Sequence, residues 1–502
     1  MNLFGKYFKT SLLFISFALI LSFIAYFFPL FNKVAFFVIL GLTLILTLEK
    51  LEYGLYILLA ELFIGSKGYL FYFDLGGTSV SLRIALFLIV MGVWFYNRLK
   101  IKDLRFKLDK WYWILFAFIA WGFVWGLIRG NTFQNLFFDF NGWLYFGIIF
   151  PLVDVIKSGE QIENVLQIFT AAVTVIIIKT FFFLYIFSHG LEVPIFPIYH
   201  WLRQFLIGEI TLMPSGFYRI FFQSQIYLLI GFFIFSALLI WRQKSPSPPS
   251  PPIEGGETKK YSPPLAGGAR GGVINYWLLA IGSLTSILVS FSRSFWIGLA
   301  FGLLTLLIFL VVLKFSFKKI IKIGLCGIAI LVISLGAVFA TAQFPFPEPG
   351  KISFASMFSD RLTDLDEAAV RSRWDLLPPL GRAIVKHPIV GSGFGATVTY
   401  KSSDPRAIQV NPGGIFTTYA FEWGFLDIML KIGLAGLIVY LLLIGKIWRS
   451  GWLLGHSGEF ILLGLLLGLA ALLATNFFSP YLNHPLGIGY IMLCGLIFEK
   501  IR

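Results

Sequence analysis

The stretch Ile323–Ala340, IGLCGIAILVISLGAVFA, decides the fold: it runs eighteen residues without a charge. Crossing a hydrocarbon core of about 30 Å takes about 20 helical residues, so a run of this length and composition reads as a membrane span. Lys318, Lys319 and Lys322 stand before it, and a polar segment opening with Phe344-Pro-Phe-Pro-Glu-Pro follows it. The runs Leu12–Leu30, Ile168–Phe187, Ile226–Trp241 and Trp296–Leu313 have the same character. With no water to satisfy backbone groups inside lipid, all of them must be helices, and the alternating pattern of a transmembrane barrel is absent.

Composition extends this reading to the whole chain. Hydrophobic residues make up 58% of the 502, charged residues 13%, and the mean hydropathy is +0.84. Soluble multidomain folds are excluded. The net charge of +15 suggests nucleic acid until its placement is considered. The basic residues cluster in short loops at span ends, which is the pattern that orients a membrane protein during insertion, so no nucleic-acid partner is expected. Cys326 and Cys494 both lie in apolar runs, which implies no disulfide framework. Lys6 and Lys9 precede a first apolar run that lacks a small-residue cleavage site, so that run is expected to be a retained span.

The basic clusters at 98–110, 242–270, 314–322 and 446–449, and the C-terminal Lys500 and Arg502, mark one side of the membrane. Alternation between them gives an all-α polytopic protein of about 12–14 spans, nearer fourteen, with both termini on the basic side. The shortest spans are Val34–Leu48 and Tyr53–Gly65. Residues 1–340 form the N-terminal membrane helices, interrupted near 245–272 by a Pro-, Ser- and Gly-rich insertion expected to be disordered. Residues 341–428 form one large, partly helical loop on the opposite, outward side, and 429–502 return to the membrane. This loop is expected to carry the chemistry.

Within the loop the pattern turns helical from about Asp366 through Arg371, Arg373, Trp374 and Leu377, with a further turn at Ala383–Lys386. His387-Pro-Ile-Val-Gly391-Ser-Gly393-Phe-Gly395 follows. Three alternating glycines permit positive φ and close backbone approach; their amides could receive an anionic oxygen, or the run could be a plain turn. Asp364-Leu-Asp366 offers two hard carboxylates, but acidic residues just before a helix are also favoured by capping and the helix dipole, and no metal site is expected. Outward arginines at Arg219, Arg293 and Arg373 are either interfacial anchors or forks for phosphate oxygens. His189 and His200 flank an amphipathic stretch with Trp201 and Arg203, expected as a helix on the membrane surface. His387 reads as a turn residue and His456 falls in an inner loop. His484 begins the last span on the outward side and is a candidate contact.

An Arg, then His-Pro about four helical turns later, then Gly-x-Gly-x-Gly, a long loop and a helix entry with Gly433-Leu-Ala-Gly436 resembles the O-antigen ligase and polymerase superfamily of bacterial membrane proteins. Ser290-Phe-Ser-Arg293-Ser looks like the family's Ser-x-Ser-Arg element, and Arg219, in Gly216-Phe-Tyr-Arg-Ile-Phe-Phe, is similar to a third family position. The Trp usual four residues after the loop arginine is Leu377 here, and the family's histidine, eleven residues before Gly433, is Glu422. The resemblance implies a metal-independent glycosyltransferase without cofactor, acting on an undecaprenyl-pyrophosphate-linked glycan and a glycan or lipid acceptor. Arg293 and Arg373 would be catalytic, with Arg219, Gly391, Gly393, Gly395 and His484 as substrate contacts. Glu422 would act either as base or as an ion-pair partner that fixes the loop. A secondary anion transporter is the alternative; it should place charges near the bilayer midplane, where only Glu61 and Lys179 stand out.

Overall fold

A computed structural model describes residues 2–76, 78–102, 108–242, 266–344, 368–403, 408–409, 411–455 and 460–501. Apolar runs form helices throughout, as hydrocarbon requires. The first four are α1 (Lys6–Phe27), α2 (Pro29–Glu49), α3 (Leu51–Ile64) and α4 (Leu82–Ile101). Then come α5 (Lys110–Ile128), α6 (Phe133–Leu144), α7 (Ile149–Val155) and α8 (Gly159–Ser188). After α9 (Glu192–Gln204) the bundle continues with α10 (Ile226–Arg242), α11 (Ala266–Ser290), α12 (Arg293–Val312) and α13 (Phe317–Gln343). Beyond α14 (Ala368–Lys386), it closes with α15 (Gly424–Gly455), α16 (Phe460–Thr475) and α17 (Pro485–Ile501).

Among the described residues, eleven helical segments are long and apolar enough to cross a membrane, with α6 and α7 counted as one. The all-α polytopic expectation therefore holds. Three shorter helices complete the bundle: α3 of 14 residues, α16 of 16 and α17 of 17. Nearly every side chain of α16 and α17 is buried. A helix apolar on every face belongs in the middle of a bundle, and α16 takes that place against α10, α12 and α15. By contrast α13 leaves Leu325, Ile328, Val332 and Phe339 exposed and buries only Ile330, Ser334, Val338 and Ala342. Such a face suits lipid.

Ion pairs sort the chain into two ends. Lys50–Glu52, Arg98–Asp154 and Lys446–Asp109 join residues near the basic loops. Arg83–Glu61, Lys431–Asp139 and Arg373–Glu422 join residues at the other end. None of these six pairs mixes residues that alternation assigns to opposite ends. That second end also carries three antiparallel hairpins: β1 (Tyr72–Leu75) with β2 (Thr78–Ser81), β3 (Glu209–Leu212) with β4 (Tyr218–Phe221), and β5 (Val398–Lys401) with β6 (Ile415–Thr418).

Three local expectations change. Residues 368–386 make one helix straight through Pro378 and Pro379, because Leu376, Leu380 and Ile384 bury one face against Val398, Phe421 and Leu430. The amphipathic stretch near Trp201 is helix α9, yet it docks on protein: Trp201 is buried and donates its indole N–H to Ser22 Oγ at 3.1 Å. Helix α11 begins at Ala266, inside the stretch read as an insertion; residues 243–265, Asp364, Asp366 and His456 lie outside the described residues.

Candidate functional site at the hairpin end

Helix α15 breaks at Gly433, whose φ of 73° and ψ of 176° are not helical. A break frees the carbonyls below it and the amides above it, and in a dry interior both need new partners. The turn that follows α14 supplies them. Ser392 N–H donates to Leu430 O at 2.6 Å and Gly393 N–H to Lys431 O at 3.0 Å. In return Leu434 N–H donates to Pro388 O at 2.8 Å and Ala435 N–H to Ile389 O at 3.1 Å. The His387-Pro run and Gly433 are thus two halves of one splice.

The glycines are demanded by contact. Gly391, Gly393 and Gly395 have φ of 79°, 80° and 76°, a region costly for residues with a Cβ. A Cβ on Gly391 would lie 2.5 Å from Lys431 O, on Gly393 2.3 Å from Gly126 N, and on Gly395 2.6 Å from Leu136 N. Phe394 drops beside Gly122 and Gly126, one turn apart on α5, where small residues admit a neighbour closely. The amides of 391–395 are all engaged: beyond those above, Gly391 donates to His387 O, Phe394 to Gly122 O and Gly395 to Asp139 Oδ2. Their expected role as substrate contacts through free amides is therefore corrected. These amides are occupied holding the loop to the bundle.

Beneath the splice lies a buried charge centre. Lys431, on α15, places Nζ 2.5 Å from Asp139 Oδ2 and 3.8 Å from Asp427 Oδ1. The same ammonium donates to Tyr419 O at 2.6 Å and Ala396 O at 3.4 Å. Asn483 donates its amide to the other oxygen of Asp427. A second buried pair, Arg83 with Glu61 at 2.8 and 3.1 Å, also gives Ser66 O a hydrogen bond at 2.7 Å. The sequence reading picked out Glu61 but missed Arg83, Asp139, Asp427 and Lys431. Asp427 and Lys431 did carry a signal, two opposite charges four apart inside an apolar run.

The candidate arginines stand at this same end. Arg219, half-buried on β4, donates Nε–H to Ser290 O at 2.9 Å, which ties it to the turn carrying Arg293. Arg293 is the first residue of α12, half-buried. Ser294, next to it, meets Ser292 and Ser479 hydroxyls at 2.9 Å each. Arg373, on α14, is paired with Glu422, and Trp423 donates its indole N–H to Arg373 O at 3.1 Å. Trp423 in turn lies 5.4 Å, ring to ring, from Phe478. The turn 476–484 between α16 and α17 is thus the shared neighbour: Ser479 faces the Arg293 side and Phe478 faces the Arg373 side. Glu422 thus lies in an ion pair with Arg373 in this structure.

His484 closes that turn. Its Nδ1 accepts the Leu486 N–H at 3.3 Å, so in the neutral ring the proton sits on Nε2. Burial, with the Arg83 and Lys67 cations nearby, pushes the imidazole down to about 3. It is a neutral donor. His387 ends α14, where its carbonyl accepts from Gly391, in keeping with a turn residue. Among the described residues no three His, Cys, Asp or Glu side chains gather as a metal site would require.

Residues 278–441 match the family model described as O-antigen ligase. The match runs from α11 to the first part of α15 and so takes in Arg293, Arg373, Glu422 and both glycine motifs, but not Arg219, Asp139 or His484. No curated protein matches the chain.

Proposed function

We propose that this chain, a multi-pass membrane protein whose residues 278–441 match the O-antigen ligase family model, transfers or polymerises an undecaprenyl-pyrophosphate-linked glycan at the outer face of the inner membrane. The family match supports glycan transfer of the ligase or polymerase kind; the donor, the membrane and the side are our reading. An acceptor hydroxyl attacks the anomeric carbon of the donor, its proton passes to a base, and the sugar–phosphate bond breaks. Undecaprenyl pyrophosphate leaves with the bonding electrons. Arg293 and Arg373 clamp the pyrophosphate and Arg219 assists, since a guanidinium stays charged at any relevant pH and matches phosphate oxygens with a planar fork. Glu422 holds Arg373 in place when the site is empty; on donor binding the phosphate competes for that guanidinium and frees the carboxylate to accept the hydroxyl proton. His484 presents Nε2–H to an oxygen of donor or acceptor.

The observation that carries this reading is that Ser294, next to Arg293, and Trp423, bonded to Arg373 O, both contact the 476–484 turn, while Arg219 bonds the turn that carries Arg293. A charge-assisted bidentate contact is worth about 1.5–3 kcal/mol. Arg373→Ala should therefore cut transfer from a lipid-pyrophosphate-linked donor by about one to two orders of magnitude in membranes that contain normal amounts of the protein. Wild-type transfer by both Arg373→Ala and Arg373→Lys would refute the clamp. Nothing in the family match favours an anion transporter, and a reconstituted uptake assay with a labelled anion should show no transport.

A further inference from the structure

We propose that Lys431 is the positioning residue of the site: its buried ammonium stands where the loop's two arms meet and fixes where Glu422 and Arg373 are presented. The inference rests on the reading of Arg373 and Glu422 as parts of a transfer site. Lys431 is fully buried, and its Nζ is surrounded by oxygens from four different segments. Asp139 comes from α6, Asp427 from its own helix, Ala396 O from the arm entering β5 and Tyr419 O from the arm leaving β6. The ring of Phe421 also faces the ammonium, 5.1 Å from Nζ to its centroid.

The chain from Lys431 to the site is short. Tyr419, whose carbonyl is held, is three residues from Glu422, and Phe421 precedes it directly. Phe421 is buried against Leu376 and Leu380, on the same helix as Arg373. Asp139 meanwhile binds both the ammonium and the Gly395 N–H, so one carboxylate joins the glycine splice to the charge centre. Two aspartates around one lysine would repel each other without it, and the carbonyls of 396 and 419 would lose their donor in a dry interior. The ammonium thus acts as an internal cation that clips the loop to the bundle. A different residue could fill the volume, but only a compact cation reaches the Asp139 carboxylate and two carbonyls with its three donors while its charge faces Asp427 3.8 Å away.

The test uses the full chain in membranes with a lipid-pyrophosphate-linked glycan as donor. Lys431→Ala should lower kcat at least tenfold with donor KM changed less than threefold, and 50–100 mM methylammonium, on the order of what a weak site needs, should restore several-fold of it. Tetramethylammonium, too large and unable to donate, should restore nothing. Lys431→Gln, which keeps volume and a donor, should insert normally and raise hydrogen exchange across 396–422 while leaving α10 and α16 protected. Normal kcat in Lys431→Ala, a loss without rescue by methylammonium, or exchange in Lys431→Gln unchanged in 396–422 would each overturn the proposal. If Lys431→Ala does not insert, the exchange result decides alone. Should the wild type or Arg373→Ala fail its own transfer test, the functional reading fails first, and the exchange result still reports on Lys431.

Discussion

Arg83 and His484 show how the same side-chain chemistry takes different roles according to what surrounds it. Arg83 opens an apolar helix, where its sequence neighbours make it look like one more interfacial arginine; only the approach of α3 supplies Glu61 and turns it into a buried fork. Removing one partner of such a pair leaves an unpaired buried charge, at a cost of about 3–5 kcal/mol. Glu61→Gln should accordingly lower the melting temperature in detergent sharply, whereas the exposed pair Lys446–Asp109 should tolerate Lys446→Gln with less than about 1 kcal/mol lost. His484 yields a pH prediction. Its folded-state value of about 3 lies below the unfolded 6.5, so the unfolded chain binds a proton first as pH falls. Its contribution to stability is intact above about 6.5 and declines from there toward 3. A melting series across that window should fall, and His484→Asn should flatten part of the fall.

Helix α15 carries the lesson at the scale of elements. Its hydropathy reads as one span, and the glycine pair 433 and 436 reads as a helix entry; the break at Gly433 and its repair by the 388–393 turn are not written in either segment alone. Each segment leaves backbone groups that are satisfied only by the other. A Cβ at Gly433 would meet Ile389 O at 2.0 Å, and the positive φ alone costs on the order of 1–3 kcal/mol for a residue with a side chain. Gly433→Ala should destabilise by at least that, while Gly445→Ala on the same helix, with open space around it, should be neutral or stabilising. Thermal unfolding of the two variants side by side checks this. Helix α14 is the converse case. Pro378 and Pro379 argue locally for an end, yet the helix continues because one apolar face gains more from burial than the missing amides cost.

Over the whole molecule, we propose from the alternation of basic loops and apolar runs that the hairpins and the arginines face outward. Thr397→Cys, with Cys326 replaced by Ala, should react with a membrane-impermeant maleimide from outside, and Lys100→Cys should react only after permeabilisation; the opposite pattern would invert the topology. By itself the sequence determined that the chain is a bundle of membrane helices, which ends of those helices share a side, and which arginines lie at the end opposite the basic loops. Hydrocarbon leaves a backbone no other choice than helix, and charge bias at span ends is local, so both can be read one segment at a time. The tertiary structure alone decided that the glycine run is a splice with its amides spent, that Glu422 is paired to Arg373, and that Lys431 sits among oxygens from four segments. Each of these depends on which segments become neighbours, and the sequence holds no term for a contact until packing makes it.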